Sequence, residues 1–195
     1  MTCRHFLSLL DLPSEALQQL IEKAMELKAG LRQGQLPTVM RGKTLAMVFE
    51  KASTRTRVSF EIGANQLGGS ALFLSPGDSQ MSRGESLADT ARVLSSMADL
   101  IVMRTLAHER LTEVAQYSQV PVINAMSDTS HPCQLLADIL TFVEHRGTIT
   151  NATVAWIGDG NNVCQSWINA ARQFDFNLRV ATPAGYEPNP DIVAA

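Results

Sequence analysis

The chain of 195 residues is 45% hydrophobic and 18% charged, with a mean hydropathy of +0.01. This composition is typical of a soluble globular protein with one large domain or two modest ones. A net charge of −3 and a pI of 5.8 argue against a nucleic-acid-binding surface, which usually carries a clustered basic excess. No apolar run approaches the ~20 residues that a membrane-spanning helix needs, so we expect no membrane partner.

The cysteines favour a reducing compartment. Cys3, Cys133 and Cys164 are odd in number and lack the spacing of a metal site. Reduced thiols are the default for such a set, and Cys3 and Cys164 are interpreted as small buried hydrophobes. The apolar stretch from Phe6 to Leu12 is interrupted by a charged residue and lacks the cleavage pattern of a secretory signal. We therefore expect a cytoplasmic protein.

The first two thirds of the chain alternate between strand-like and helix-like segments. A helix is predicted from the apolar spacing between Leu17 and Leu27, with Gly30 at its end. The later strands are predicted at Thr44–Phe49, Ala71–Leu74, Leu100–Met103 and Pro121–Asn124, and the later helices near Arg57–Leu67, Glu85–Met97, Glu109–Tyr117 and Pro132–Glu144. Strands separated by about 10–15 helical residues indicate parallel pairing through right-handed crossovers. The fold class is therefore α/β, with a parallel four-stranded sheet flanked by helices.

A second α/β unit begins after a change in composition at His145–Gly147. The strand Thr153–Ile157 is followed by a helix to about Gln173, a strand at Leu178–Ala181 and a turn-rich segment to Pro190. Two strands and one helix cannot cover both faces of a sheet. We assign residues 1–147 to a first domain and residues 148–195 to the beginning of a second, Rossmann-like domain.

The run Ser53-Thr54-Arg55-Thr56-Arg57 lies where the first strand gives way to a helix. The first turn of a helix offers unpaired N–H groups and the positive end of the peptide dipole, so a phosphate is stabilised there. Arginine adds bidentate charge-assisted hydrogen bonds. The alternative is an N-capping hydroxyl followed by two surface arginines. We favour a dianion site.

Polar residues also follow the third and fourth predicted strands. Arg104 comes directly after the third strand, and His131-Pro132-Cys133-Gln134 follows the fourth, with the proline suited to the first position of a helix. Ligands of open parallel sheets bind at the carboxyl ends of the strands, which predicts one shared crevice. Taken singly, Arg104 is equally well a surface residue, His131 a structural histidine and Gln134 a solvated amide.

These side-chain types suit electrostatic stabilisation better than covalent catalysis. Arg104 and His131 are suited to hold a carbonyl oxygen that gains negative charge, and the Gln134 oxygen is suited to bind an NH₂ group. A planar carbonyl joined to a phosphate would satisfy every group. Cys133 has no evident partner base and is interpreted as a packing residue.

Phe49–Glu61, which reads FEKASTRTRVSFE, resembles the carbamoyl-phosphate signature of the aspartate and ornithine carbamoyltransferases. Val102–Thr105 and His131–Gln134 resemble the second and third motifs of this family, in the expected order. Four features favour the ornithine branch: the Phe-Glu-Lys before the signature, the Met-Arg-Thr run, Cys133 and the segment Trp156–Asn162. The resemblance runs from about His5 to the last residue.

The resemblance implies a role for each motif residue. Ser53, Thr54, Arg55 and Thr56 would bind the phosphate of carbamoyl phosphate, Arg104 would bridge its phosphate and carbonyl, and the third motif (His131, Pro132, Cys133 and Gln134) would bind and orient the carbamoyl group. Asn162 would hold L-ornithine. Gln80 would reach the active site of the adjacent subunit of a homotrimer, whereas Arg57 is interpreted as a member of a buried ion pair.

The implied reaction carbamoylates the δ-amine of L-ornithine to give L-citrulline and phosphate in arginine metabolism, with no metal and no organic cofactor. Family members continue well beyond Ala195. We therefore expect this stretch alone to bind carbamoyl phosphate weakly and to turn over negligibly.

Three other functions stay open at this point. The first is carbamoyl transfer to aspartate or another amine. The second is a dinucleotide-binding module, because Gly158-Asp159-Gly160 follows a strand and precedes a helix, although Val163 occupies the third glycine position. The third is a binding or regulatory protein without catalysis, for which an Arg104→Ala substitution would leave function unchanged.

Overall fold

The computed structural model describes residues 4–75, 77 and 80–194, without the side chains of Met81 and Ser82. Cys3 lies outside the described residues. Two compact units are present: the first combines the residues up to Leu7 with Gly30–Ser127, and the second combines Ser8–Ala29 with the chain from Asp128 onward. The domain boundary at residue 147 stays a prediction. In the described part of the chain, no helix is long and apolar enough to cross a membrane.

The order of strands and helices confirms the predicted α/β class. The helices are α1 (Ser14–Arg32), α2 (Thr54–Gln66), α3 (Leu87–Met97), α4 (His108–Tyr117), α5 (Pro132–Arg146), α6 (Asn162–Phe174) and α7 (Pro190–Ala194). The strands are β1 (Thr44–Phe49), β2 (Ser70–Leu74), β3 (Leu100–Arg104), β4 (Val122–Met126), β5 (Thr153–Ile157) and β6 (Asn177–Ala181). Two 3₁₀ helices span Leu9–Asp11 and Gln80–Arg83.

The first unit is built on a four-stranded sheet in the order β2-β1-β3-β4, with every neighbouring pair parallel. Side chains of β1 alternate between the two faces, as a strand with period two requires. Ala46 and Val48 pack in a cluster with residues of α3 and α4, whereas Leu45, Met47 and Phe49 pack in a second cluster that includes Ala64 of α2. Both faces of the sheet are therefore covered, which explains the continuous apolar run of β1.

The second unit pairs β5 with β6 in parallel, in the register Thr153↔Asn177 to Ile157↔Ala181. Gln173 of α6 donates hydrogen bonds from its Nε2 to the carbonyl oxygens of Leu9 and Leu12, at 2.9 and 3.0 Å. These bonds tie α6 to the 3₁₀ helix at the start of the same unit.

Several helix boundaries differ from the sequence-based expectation by one to three residues, and one α-helix was not predicted. Helix α2 begins at Thr54, three residues early, because Ser53 acts as its N-cap. Helix α1 continues past Gly30 because this glycine allows a close return of the chain: a Cβ there would lie 2.5 Å from the Gln35 carbonyl oxygen. Helix α7 was not predicted, since Pro190, which was assigned to a turn, begins the helix instead.

Candidate functional site

Ser53 organises the junction between β1 and α2. Its backbone is extended, and its Oγ accepts a hydrogen bond from the N–H of Thr56 (3.4 Å) and donates one to Thr56 Oγ1 (2.9 Å). Ser53 therefore caps α2, and the cap engages the N–H of the third residue of the helix. The first two N–H groups of α2 remain at the carboxyl edge of the sheet. The cap and the anion site are compatible functions of one turn.

A cleft of about 740 Å³ adjoins this turn. Its aromatic wall is the edge-to-face pair Phe49 and Phe73, whose ring centroids are 5.4 Å apart. Ser53 and Thr54 line the cleft, whereas the exposed Arg55 lines a neighbouring groove along α2. This separation follows from the helix, because residues along a helix of 3.6 residues per turn point in different directions.

Arg57 lies on the cleft, and the prediction that it joins a buried ion pair is wrong. Its Nε is 3.3 Å from Glu61 Oε2, but the two side chains are 45% and 40% exposed. The guanidinium carbon also lies 3.8 Å from the centre of the Phe73 ring. An i,i+4 pair on the open side of a helix stays hydrated, and the aromatic ring supplies the packing that burial was expected to provide.

Arg104 lies beside the end of β1, in the same unit as the Ser53 turn. It pairs in register with Phe49, and its carbonyl oxygen accepts a hydrogen bond from the Glu50 N–H at 2.8 Å. Its Nε is buried and has no hydrogen-bond partner among the described residues. Burial also lowers the pKa of the Arg104 guanidinium. A buried donor without a partner costs about 1–3 kcal/mol, and an anionic ligand would remove that penalty.

Glu50 connects the two strand ends, a role that the sequence did not reveal. Thr105, which is fully buried, donates from Oγ1 to Glu50 Oε2 at 2.5 Å. Arg110 of α4 donates from Nε to both carboxylate oxygens at 2.9 and 3.1 Å. Burial of the Glu50 carboxyl raises its pKa, but the hydrogen bonds from Arg110 and Thr105 outweigh burial and bring the net pKa below its ordinary value.

In the second unit, Ser166 brings the third motif to the start of α6. The backbone N–H of His131 donates to Ser166 Oγ at 2.8 Å, and this hydroxyl donates to the Asn162 carbonyl oxygen at 2.7 Å. Asn162 is the first residue of α6, and Pro132 is the first residue of α5, as predicted. Ser166 is 1% exposed and was missed because an isolated serine inside a helix gives no functional signal.

Gln134 is held by a neighbour one turn further along α5. Its Nε2 donates to Asp138 Oδ1 at 2.8 Å, and burial raises the pKa of the Asp138 carboxyl despite this hydrogen bond. Because the amide nitrogen is engaged, the amide oxygen of Gln134 is the group that remains to accept a hydrogen bond. This orientation suits the predicted contact with an NH₂ group.

Gln80 is exposed and lies in the 3₁₀ helix Gln80–Arg83. Its contact with an adjacent subunit stays a prediction, as does the meeting of His131 with Arg104 and the Ser53 turn. In the described residues, Cys133 and Cys164 form no disulfide, and no group of three His, Cys, Asp or Glu side chains could hold a metal ion.

A Ser166→Ala substitution should lower the free energy of unfolding by about 1–3 kcal/mol, because the His131 N–H loses its acceptor in a buried position. Urea denaturation of the parent chain and of the Ser166→Ala variant measures the difference in the free energy of unfolding. Ser96→Ala is the matched control, since the exposed Ser96 hydroxyl makes the same kind of bond to a helical carbonyl oxygen. Equal stability of the two variants would show that Ser166 does not hold this motif.

Cys133 should react slowly with thiol reagents. Cys133 as a whole residue is half-buried, but its thiol is surrounded by protein atoms, and this burial raises the pKa of the thiol to about 12, so almost none of it is thiolate at pH 8. In a chain with Cys3→Ser and Cys164→Ser, modification by a disulfide reagent should be at least ~10²-fold slower for the folded protein than for the same chain in urea. Comparable rates in both states would contradict the assignment of Cys133 as a packing residue.

The glycine-rich turn after β5 has a packing explanation. A Cβ on Gly160 would lie 2.6 Å from the Glu187 carbonyl carbon, and the Gly160 N–H donates to the backbone carbonyl oxygen of Tyr186 at 2.8 Å. The glycine is therefore needed where the 186–188 turn approaches the backbone. This local requirement gives Gly160 a structural role that does not involve a dinucleotide.

Two family profiles match the chain. Residues 4–144 match the carbamoyl-P binding domain of aspartate/ornithine carbamoyltransferases, and residues 150–195 match the Asp/Orn binding domain. The chain belongs to the aspartate/ornithine carbamoyltransferase family. The resemblance seen in its motifs is confirmed.

Curated relatives and solved structures agree with this assignment. The ornithine carbamoyltransferase of Nitrosococcus oceani is 61% identical over 99% of this chain and 64% of its own length, and that of Hydrogenovibrio crunogenus is 57% identical over 100% and 65%. The structure of ornithine carbamoyltransferase from Pyrococcus furiosus has a TM-score of 0.95 at 46% identity, over 98% of this chain and 61% of that structure. The corresponding structure from Burkholderia thailandensis has a TM-score of 0.94 at 46% identity, over 97% and 66%. The chain thus spans somewhat less than two thirds of the length of the curated relatives.

Proposed function

We propose that this chain supplies the carbamoyl-phosphate-binding part, and the opening of the ornithine-binding part, of an ornithine carbamoyltransferase. One observation carries the proposal: Arg104, whose buried Nε has no hydrogen-bond partner in the part of the chain that the structure describes, lies beside the strand that leads into the Ser53 turn. The relatives at 54–61% identity, all named ornithine carbamoyltransferases, support ornithine as the acceptor.

The phosphate of carbamoyl phosphate binds at the first turn of α2. Ser53, Thr54 and Thr56 offer hydroxyl and N–H donors there, and the helix dipole favours negative charge. Arg55 moves from its groove to the phosphate when the dianion binds, since an exposed arginine side chain is held by few contacts. Its planar guanidinium then donates two parallel hydrogen bonds.

The carbamoyl carbon is attacked by the neutral δ-amine of L-ornithine. As the C–N bond forms, negative charge grows on the carbonyl oxygen, which Arg104 and His131 stabilise. The C–O bond to phosphate then breaks, phosphate leaves with the electron pair, and the attacking nitrogen loses a proton. Gln134 accepts from the carbamoyl NH₂ group, and Pro132 and Cys133 shape the same turn.

Asn162 holds the amino-acid portion of L-ornithine, and Gln80 binds phosphate in the adjacent subunit of a homotrimer. The exposure of Gln80 is compatible with a contact to another subunit. We place the enzyme in the cytoplasm and in arginine biosynthesis. Residues 1–147 form the carbamoyl-phosphate domain, and the ornithine domain begins at residue 148.

Two measurements test the proposal. Isothermal titration of this chain with carbamoyl phosphate should give weak binding, and a citrulline assay should give negligible turnover. The whole protein should form citrulline from L-ornithine and should not carbamoylate L-aspartate or other amines at a comparable rate. Robust turnover by this chain alone, or a preference of the whole protein for another amine, would overturn the proposal.

A further inference from the structure

Two carboxylates line the cleft that is proposed to bind a dianion: Glu61, which is paired with Arg57, and Glu50. Glu50 shares this cleft with Ser53 and Thr54. A bare carboxylate there would repel phosphate, because like charges a few ångströms apart interact strongly near a protein surface. The presence of Glu50 at this position therefore needs a physical reason.

The carboxylate of Glu50 is fully engaged with neighbouring residues. Arg110 holds it through Nε (2.9 and 3.1 Å) and through Nη2 (2.5 Å), and Thr105 donates to it at 2.5 Å. The Glu50 side chain is 21% exposed, so the pair is only partly hydrated. The bidentate guanidinium neutralises the carboxylate, and the cleft keeps its preference for anions.

Glu50 also makes hydrogen bonds with the backbone of Arg104 and with the side chain of the next residue, Thr105. The Glu50 N–H donates to the Arg104 carbonyl oxygen at 2.8 Å, and the Glu50 carboxylate accepts from the next residue, Thr105. The end of β1 and the turn after β3 are thereby joined by one residue. Loss of the Glu50 carboxylate would release Thr105, the residue after Arg104, and so change how the Arg104 guanidinium is held.

We propose that Glu50 is a positioning residue of the carbamoyl-phosphate site and that Arg110 shields its charge. This inference rests on the proposed function. Glu50 acts through Arg104 and Thr105 and does not touch substrate. Arg110 neutralises the Glu50 carboxylate, so this residue can position Arg104 without repelling an anionic ligand.

The shielding role is tested by binding, and the positioning role is tested by turnover. In the whole protein, Arg110→Ala should weaken carbamoyl phosphate binding about tenfold, because it leaves an unshielded carboxylate in the cleft. The double variant Glu50→Gln/Arg110→Ala should recover most of that affinity, because the charge is gone. Glu50→Gln alone should bind carbamoyl phosphate nearly as the parent does but lose about tenfold in kcat, because Arg104 is no longer held in place.

Isothermal titration and steady-state kinetics measure these effects, and Arg110→Lys provides a variant that keeps the charge. Lysine shields the carboxylate but lacks the planar fork, so binding should be retained while kcat falls. The matched control is Asp89→Asn/Arg92→Ala, an exposed ion pair on α3, which should change neither quantity. Circular dichroism confirms that each variant is folded.

The outcomes separate this inference from the proposed function. Equal affinities of Arg110→Ala and the double variant would refute the shielding role, and an unchanged kcat of Glu50→Gln would refute the positioning role. If Arg110→Ala does not fold, then full affinity and full kcat in both Arg110→Lys and Glu50→Gln would overturn the inference. A parent protein that does not bind carbamoyl phosphate would refute the proposed function itself.

Discussion

An Arg104→Ala substitution in the whole protein should lower kcat for citrulline formation by ~10²–10³, about 3–4 kcal/mol of transition-state stabilisation. Arg104 pairs with the end of β1, and its buried Nε has no hydrogen-bond partner within residues 4–75, 77 and 80–194, so a ligand is the group that would complete its hydrogen bonds. Since charge on the carbonyl oxygen grows only during reaction, the loss should be larger in kcat than in the affinity for carbamoyl phosphate.

Arg41→Ala is the matched control for this experiment. Arg41 is exposed and precedes β1, so it lies near the opposite end of the same strand. Its removal should leave kcat unchanged. A kcat for Arg104→Ala within a factor of two of the parent, in a protein that is folded, would contradict the assignment of Arg104 as a group that stabilises the carbonyl oxygen.

A His131→Ala substitution should also lower kcat by ~10²–10³, because it removes a second donor proposed to hold the carbonyl oxygen. The backbone of His131 stays in place through its bond to Ser166, so the loss should come from the imidazole alone. Initial rates of citrulline formation at saturating substrate measure the effect.

His145→Ala is the control on the same helix. His145 is exposed in the last turn of α5, far along the helix from His131. It should retain full activity and nearly full stability. If both histidine variants lost activity equally, the effect would be a general loss of helix α5 and not the loss of a donor.

The fold was largely predictable because hydrophobic periodicity records burial directly. The strands Thr44–Phe49 and Thr153–Ile157 were predicted with their observed bounds, and the four-stranded parallel sheet followed from the strand spacing. Helix starts were less accurate. The start of α2 depends on whether Ser53 caps the helix, and periodicity carries little information about a single cap.

The candidate site was predictable only where a residue belongs to a motif at a strand end. Arg104 and the Ser53 turn were proposed in this way, and their binding roles stay predictions. Glu50 was visible in the signature, but its partner Arg110 is 60 residues away along the chain, and no local pattern links the two. Arg57 shows the reverse error, because the resemblance suggested a buried ion pair, whereas its partner Glu61 lies one turn along the same helix and both side chains stay exposed.

The sequence by itself determined the α/β class, the family and the residue types that can bind a phosphorylated carbonyl compound. These depend on local order: periodicity, strand ends and short motifs. Only the tertiary structure decided that Glu50 joins the two strand ends, that Ser166 holds His131 and that no described residue is a hydrogen-bond partner of the buried Arg104 Nε. Such contacts arise when distant segments pack together, so their distances and burial are properties of the folded chain.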